Sequence, residues 1–262
     1  MSSKPPVLHT YNIAGEVRAF STTRHGGPEA EPAYSAFNIN PFCGDSPEHV
    51  AACREALCRE LGVGDDRLVL PHQTHGVATR VIDAEFCALP PQERSKALEG
   101  VDAVMTAERN LCIGVSTADC IPVLLYDPAH HAVCAVHAGW RGTLARIAGK
   151  AVADMRAAFG TVPSELKAVV GPGISVEHFE VGDEVYGQFA AAGFDLSAAS
   201  TRRAKWHLDL PAINRLTLVG AGLAEANIAM SGICTYASCR DFFSARRLGV
   251  ESGRIFNGMM LV

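Results

Sequence analysis

The sequence predicts an α+β fold in a chain of 262 residues. Strand-like apolar runs and helix-like amphipathic segments are both present, and they do not alternate as strictly as they would in a doubly wound parallel sheet. No internal repeat, low-complexity tract or long linker divides the chain. We therefore expect a single domain over residues 1–262.

Four helices are predicted: one is the helix-like segment "VGDEVYGQFAAAG", and the other three follow from their ends or from their apolar spacing. The first runs from Ser46 as N-cap to Gly62, which closes it. Another begins after Asp209, a capping residue. The third is expected over residues 143–159, where one face is formed by Leu144, Ile147, Ala148, Ala151, Val152, Met155 and Phe159.

The predicted strands concentrate in the middle of the chain. Two or three apolar runs between Leu111 and Val136 are typical of central strands, with "DPAHH" as a turn between them. "LKAVVGPGIS" predicts a further strand that ends in a tight turn at 171–173. "IAMSGICTYASCRDFFSARR" predicts a strand that runs into an arginine-bearing loop.

Composition excludes several classes of protein. The net charge is −5 and no Lys/Arg cluster resembles a nucleic-acid footprint, so nucleic acid is not expected as a partner. No stretch approaches the ~18 apolar residues of a membrane span, and the N-terminus lacks a secretion signal. Nine cysteines without a secretory context indicate reduced thiols in the cytoplasm, where a special cysteine is a ligand or a nucleophile.

Three short stretches place a His or Cys beside a chain reversal at the end of an apolar strand. They are "HQTHG" at 72–76, "TADC" at 117–120 and "VHAGWRG" at 136–142. Residues at such strand ends can converge, and two imidazoles with one thiolate suit Zn²⁺ while leaving one position for water. Zinc lowers the pKa of bound water to roughly 7. With ten histidines and nine cysteines, a chance trio of structural residues is the alternative interpretation.

Motifs along nearly the whole chain resemble the peptidoglycan editing factor (YfiH) family, also described as laccase-domain or polyphenol oxidoreductase proteins and as purine nucleoside phosphorylases. The motifs occur in the family's order: "STTRHGG", "FNINPFCGD", "HQTHG", "TADCIPVLLYD", "HAGWRGTLARI", "VVGPGIS", "DLPAINRLTLVGAGL", "CTYASCRDFFSARR" and "SGR". The resemblance implies a sandwich of mixed β-sheets flanked by helices, which some classifications relate to cysteine-hydrolase-like toxins. It also implies that His75, Cys120 and His137 are the zinc ligands and catalytic residues, with His72 as a neighbour.

Two positions depart from the family's usual pattern. Cys43 stands where an apolar valine is common, and Ala245 where a larger residue often sits. Both changes are expected to alter the shape of the pocket and hence the choice of substrate.

The family resemblance implies a small-molecule substrate, namely a purine nucleoside with phosphate. The implied reactions are phosphorolysis of adenosine, inosine, guanosine or methylthioadenosine, and hydrolytic deamination of adenosine. An activated water on the zinc site is suited to attack at C6 of adenine.

Arginines are the expected phosphate ligands, because a guanidinium matches phosphate bidentately. Arg24, Arg141 and Arg247 are the candidates, and Arg141 lies by the predicted start of the 143–159 helix. A solvated or salt-bridged surface role is the alternative for each. Trp140 either stacks on the purine or packs in the core.

Two further residues are assigned mainly structural roles. Phe37 is expected to pack in the core. Asp119 is expected to cap the chain locally, with a role as proton shuttle as the alternative, because on a regular strand it would point opposite to Cys120.

Several other functions remain open from the residues alone. The zinc site could serve an amidase that acts on a peptidoglycan precursor such as UDP-MurNAc-L-Ser. A metal-free enzyme would use Cys120 as nucleophile and His137 as base. A non-catalytic, structural zinc would need a fourth ligand, for which His72 is the nearby choice. A multicopper oxidase is disfavoured because the chain contains no His-x-His pair, and copper is the less favoured metal.

Overall fold

The computed structural model describes residues 4–262, which form two large sheets, one small sheet and the helices around them. The strands are β1 (Leu8–Ala14), β2 (Val17–Thr22), β3 (Leu68–Val69), β4 (Ala78–Val81), β5 (Val101–Thr106), β6 (Cys112–Thr117), β7 (Ile121–Asp127), β8 (Ala132–Ala138), β9 (Lys167–Val170), β10 (Glu180–Val181), β11 (Ser200–Arg202), β12 (Trp206–Leu208), β13 (Ile228–Met230) and β14 (Ile255–Leu261). The α-helices are α1 (Pro47–Leu61), α2 (Ala84–Ala88), α3 (Pro91–Ala97), α4 (Trp140–Leu144), α5 (Ile147–Phe159), α6 (Asp183–Ala191), α7 (Leu210–Gly220) and α8 (Ala245–Leu248). Short 3₁₀ turns cover Asp65–Arg67, Pro163–Glu165 and Glu225–Asn227.

The two large sheets pack against each other. One has the strand order β1-β2-β14-β6-β3 and the other β13-β9-β7-β8-β5-β4, and both contain parallel and antiparallel pairs. Residues from both sheets share one core, for example Val115 and Met259 from the first with Leu124 and Val133 from the second. The small antiparallel sheet, β10-β12-β11, lies outside this pair.

Helices cover the outer face of each large sheet. The apolar face of α1, including Leu57, packs on Phe20 and Phe256 of the first sheet. Residues of α5 and α7, such as Val152 and Leu218, pack with the outward residues of β7 and β8. The layers therefore run helix, sheet, sheet, helix, which confirms the predicted sandwich of mixed sheets.

The central strands are buried on both faces, because each lies between the inter-sheet core and a helix layer or another strand. Every residue of β5, β6, β7 and β8 is buried, which explains why these segments read as nearly continuous apolar runs. The predicted strands between Leu111 and Val136 are confirmed.

Two helix starts follow the predicted capping chemistry. The Ser46 hydroxyl accepts a hydrogen bond from the His49 N–H at 3.1 Å, and Asp209 accepts one from the Ala212 N–H at 2.9 Å. Gly62 ends α1 with φ 74°, the left-handed conformation that favours glycine.

The prediction of one helix over 143–159 is wrong at its beginning. Helix α4 ends at Leu144 and α5 begins at Ile147, because Arg146 between them has φ 59°. The Arg146 guanidinium lies 4.0 Å from the Phe194 ring and donates to the Ala192 carbonyl, so a contact distant in sequence fixes this break. Leu144 therefore belongs to α4, and Arg141 lies in the first turn of α4.

One of the places where the chain passes from one large sheet to the other is a short link near the site. Strand β6 belongs to the first sheet and β7 to the second, so residues 118–120 cross between them. Among residues 4–262, no helix has both the length and the apolar character needed to cross a bilayer.

Candidate metal centre

Three strand ends bring His75, Cys120 and His137 together. Cys120 is the last residue of the link into β7, and His137 lies near the end of the neighbouring β8, where it pairs with Pro122. His75 comes from the loop between β3 and β4. The donor atoms of the three side chains lie within 4.8 Å of one another, and Cys120 Sγ is 3.6 Å from His75 Nε2. The structure thus brings together the three residues that the sequence predicts.

The backbone is strained at two positions beside this cluster. His75 has φ 64° and Asp119 has φ 90°, values that side-chain-bearing residues rarely adopt. Asp119 is held there because its carboxylate accepts bonds from Thr235 Oγ1 and from the Arg246 N–H, both at 2.7 Å. Its side chain thereby anchors the link that presents Cys120.

The loop that carries His75 is fixed to the first sheet by Gln73. Its side-chain amide donates to the Ser116 carbonyl at 2.8 Å, and its side-chain oxygen accepts from the Ser116 N–H at 2.7 Å. Sequence reasoning missed this role, because a glutamine between two histidines has no distinctive pattern.

Asp102 holds two of the three residues of the cluster, His137 through its ring and His75 through its backbone. This buried residue of β5 accepts hydrogen bonds from His137 Nδ1 at 2.7 Å, from the His75 N–H at 3.0 Å and from the Gly76 N–H at 2.7 Å. Burial alone would raise the pKa of Asp102, but these bonds and the nearby His137 charge lower it below its ordinary value. Because Nδ1 of His137 is engaged, Nε2 is the nitrogen left for the cluster.

Cys120 and His137 form a charged pair in the protein without metal. Burial raises the pKa of the Cys120 thiol, but the His137 charge and the hydrogen bonds from His137 and His75 outweigh it and lower the pKa to about 6. Burial lowers the pKa of His137, but the thiolate of Cys120 and the Asp102 carboxylate raise it to about 9. Between these values the thiolate and the imidazolium stabilise each other.

The donor set fits one tetrahedral metal ion such as zinc. In a tetrahedral zinc site, with Zn–S near 2.3 Å and Zn–N near 2.0 Å, the sulfur and nitrogen lie about 3.5 Å apart, close to the 3.6 Å between Cys120 and His75. A hydrogen bond from the imidazole of His137 to Asp102 is the usual support for such a ligand. Within residues 4–262 this is the one group of three His, Cys, Asp or Glu side chains placed to hold an ion, which fits a mononuclear site.

Gly139 leaves no room for a side chain next to the cluster. A Cβ at this position would lie 2.6 Å from His75 Cδ2 and 3.0 Å from Cys120 Sγ. A glycine is required here because the two donor-bearing side chains pack directly on its backbone.

The cluster opens into a cavity of about 310 Å³, at the lower end of the ~300–1,000 Å³ typical of small-molecule sites. Arg254 lines this cavity and is the cation in its wall. Arg254 belongs to the "SGR" motif, for which the sequence alone predicts no role. Cys43 and Ala245, the two departures from the family pattern, line the same cavity.

The arginines predicted to bind phosphate lie outside the lining of this cavity. Arg24 donates to Ser35 Oγ at 2.8 Å and lies 5.0 Å from the Phe243 ring. Arg247 donates to the Tyr236 carbonyl at 2.9 Å.

Arg141 lies 4.3 Å from the ring of Trp140, which is half-buried and packs against the core under the helices. Neither residue lines the cavity. Phe37 is fully buried, as predicted.

A second cavity of about 370 Å³ adjoins the first. Phe42 and His72 line both, and their rings stack at 4.2 Å with an interplanar angle of 26°. Phe42 is 51% exposed, which is unusual for phenylalanine. The stacked pair is therefore the partition between the two cavities.

These features define a class of protein, an α+β sandwich with one His₂Cys site at the link between its two large sheets. A family profile described as "multi-copper polyphenol oxidoreductase laccase" matches residues 18–262. The chain belongs to this laccase-domain family, the YfiH family that its motifs resemble.

Curated relatives cover most of the chain. A protein named purine nucleoside phosphorylase from Bacteroides thetaiotaomicron is 42% identical over 245 residues, covering 92% of this chain and 90% of its own. Adenosine deaminase RL5, from an unknown prokaryotic organism, is 46% identical over 246 residues, with 93% of both chains covered. The crystal structure of YlmD from Geobacillus stearothermophilus superposes with a TM-score of 0.90 at 27% identity, covering 100% of this chain and 97% of that one.

Proposed function

We propose that this chain is a zinc-dependent purine nucleoside enzyme that cleaves nucleosides with phosphate. The observation that carries the proposal is the His75, Cys120 and His137 cluster in a cavity whose wall also holds Arg254. A metal-binding donor set beside one cation suits a substrate pair of a nucleoside and an anion. Relatives named purine nucleoside phosphorylase support this choice of substrate.

His75, Cys120 and His137 would hold the zinc, and Asp102 would keep two of these three in place. When bound, zinc would supply a Lewis acid and would lower the pKa of water. All three side chains line the cavity, so a substrate in the cavity would reach them.

Arg254 is the residue we assign to the phosphate. Its guanidinium donates to the Ser252, Gly253 and Val250 carbonyls, so the charge is held in the cavity wall by its own loop. A fixed guanidinium in the wall of the cavity that holds the cluster attracts an anion at little cost in side-chain entropy. Arg24, Arg141 and Arg247 remain second choices for this role.

Deamination of adenosine is the second proposed activity of the same site. The relative named adenosine deaminase is 46% identical to this chain. Water activation by zinc suits this reaction as well, since the amino group at C6 is displaced by the oxygen of a water. The two activities differ in whether phosphate is consumed.

The products formed from adenosine test the proposal. Zinc-loaded protein is incubated with adenosine, with and without phosphate, and the products are separated by chromatography, with His137→Ala as control. Adenine and ribose 1-phosphate formed only with phosphate, or inosine formed without it, are the expected products, and the variant should form neither. Absence of turnover with the intact protein, together with release of serine from UDP-MurNAc-L-Ser, would contradict the proposal in favour of the amidase.

We also propose a cytoplasmic location. All nine cysteines are free thiols, which is the state that a reducing compartment maintains.

A further inference from the structure

His72 is held on three sides at the mouth of the cavity. Both carboxylate oxygens of Glu99 lie within hydrogen-bond distance of its Nδ1, at 2.8 and 2.9 Å. The backbone N–H of His72 donates to the Leu98 carbonyl at 3.1 Å, and the backbone carbonyl of His72 accepts from the Gly100 N–H at 2.9 Å. Phe42 stacks on the face of the ring. Contacts to the backbone, to one ring nitrogen and to one ring face therefore fix the orientation of the His72 imidazole.

The contacts leave one ring nitrogen of His72 available. With Nδ1 bonded to Glu99, Nε2 has no hydrogen-bond partner among residues 4–262. The side chain is 39% exposed and lines the cavity that holds the metal cluster. The carboxylate engages Nδ1 and so fixes the orientation of the ring, as in other carboxylate–histidine pairs.

The other ionisable groups that line this cavity are committed elsewhere or unsuited to moving a proton near neutral pH. His75, Cys120 and His137 form the metal cluster, and Arg254 stays charged. Burial raises the pKa of the Cys43 thiol, which keeps it protonated. His72 is thus the remaining lining residue with a side chain of the kind that serves as a general acid.

We propose that His72 is the general acid of phosphorolysis and donates a proton from Nε2 to N7 of the departing purine, with Glu99 as its positioning residue. The inference rests on the proposed phosphorolysis and adds the identity of the proton donor to it. Protonation at N7 matters because the purine leaves with the electron pair of the C1′–N9 bond.

The proposed step balances. The C1′–N9 bond breaks, its electron pair stays on the purine, and a C1′–O bond forms to hydrogen phosphate. The purine gains the proton of His72 at N7. The phosphate loses its own proton as it becomes the ribose phosphate ester, and an equivalent proton returns to His72 through solvent.

A substrate that needs no proton tests this role. In 7-methylinosine, N7 is already methylated and cationic, so the base departs without protonation. In His72→Gln, kcat for inosine phosphorolysis should fall about 100-fold or more, within the usual 10²–10⁴ range for general acid catalysis. The kcat for 7-methylinosine should stay within about threefold of the intact protein.

Two further variants complete the experiment. His130→Gln removes another carboxylate-paired histidine, also with a 39% exposed side chain, bonded to Asp127 and absent from the cavity lining, so both substrates should be cleaved normally. Glu99→Gln changes an exposed side chain, and should lower the ratio of inosine to 7-methylinosine turnover in the same direction by a smaller factor.

The outcomes separate this inference from the proposed function. If the intact protein cleaves neither nucleoside with phosphate, the proposed function fails and the inference fails with it. If the intact protein cleaves both and His72→Gln slows both equally or neither, the function stands and the role of His72 is overturned. Selective loss of inosine cleavage in His72→Gln and Glu99→Gln supports it.

Discussion

At the residue scale, the geometry of the metal cluster depends on Asp102. Asp102→Asn should raise the zinc dissociation constant 10–100-fold, the usual effect of losing a residue that supports a metal ligand. The reason is that an amide cannot accept all the bonds that the carboxylate takes from His137, His75 and Gly76. Competition with a chromophoric chelator measures the constant.

Asp127→Asn is the matched control for this change. Asp127 is as deeply buried and also accepts bonds from a histidine ring, that of His130, and from the Ala129 N–H. This variant should lose stability but keep the zinc affinity of the intact protein. Equal zinc affinity in Asp102→Asn and Asp127→Asn would show that Asp102 has no special role at the cluster.

The charge state of Cys120 predicts an unusual pH dependence of alkylation in metal-free protein. The thiolate is the reactive form, and with a pKa of about 6 it is nearly fully formed at pH 7. Alkylation by iodoacetamide should therefore be constant from pH 7 to 9 and fall about tenfold per unit below pH 6. Peptide mass spectrometry measures the rate.

The same digest contains an internal reference. Cys53 is buried, which raises its pKa to about 11, so it should stay unmodified under the same conditions. A rate at Cys120 that climbs tenfold per unit from pH 6 to 9 would mean that His137 does not stabilise the thiolate.

Sequence reasoning at this scale identified the three side chains of the candidate metal cluster but missed the residues that hold them in place. His75, Cys120 and His137 stand at strand ends beside turn residues, a pattern visible locally. Asp102 lies inside the apolar run "GVDAVMT", where an isolated acid was the available signal. No local pattern marks Arg254, because it immediately precedes β14. The pairing of β14 with distant strands brings Arg254 to the cavity.

At the element scale, Gly139 connects β8 to α4, and its lack of a side chain leaves space for the cluster. Gly139→Ala should raise the zinc dissociation constant at least about tenfold, because the added methyl group overlaps His75 and Cys120. The chelator competition described for Asp102 measures it.

Gly187→Ala is the control for the glycine substitution. Gly187 lies within α6 and a Cβ there would meet nothing within 4 Å. The change should leave zinc affinity unaltered and stabilise the protein by up to about 1 kcal/mol, the helix propensity difference. Normal zinc binding in Gly139→Ala would contradict the tight packing of the cluster.

Local sequence patterns predicted the helices and strands more reliably than the breaks between them. Both ends of α1 and the start of α7 follow from capping residues that act over three or four positions, so the sequence indicates them. The break at Arg146 is stabilised by Phe194, 48 positions away, and apolar periodicity runs through it undisturbed. A helix period alone could not have located it.

At the scale of the whole molecule, the first and last strands are joined in one sheet. Strand β14 lies between β2 and β6, so the end of the chain completes a sheet begun near its start. This order follows from pairing between segments more than 130 residues apart for β14 with β6 and more than 230 apart for β14 with β2, which no local pattern specifies.

This connectivity leads us to propose that residues 1–262 unfold as one unit. Thermal unfolding should show a single transition, and zinc at 100 times its dissociation constant should stabilise the whole transition by about 2.7 kcal/mol. Cys120→Ser should remove most of this gain. Two transitions in calorimetry, with zinc shifting one of them alone, would indicate separate folding units.

The most direct test joins the metal site to the reaction. Metal-free protein is titrated with zinc while the phosphorolysis of inosine is followed, in parallel with Cys120→Ser. We expect turnover to rise in proportion to zinc, to saturate at one ion per chain and to stay near background in the variant. Full turnover without zinc, or the same rise in Cys120→Ser, would contradict the assignment of the reaction to the His75, Cys120 and His137 site.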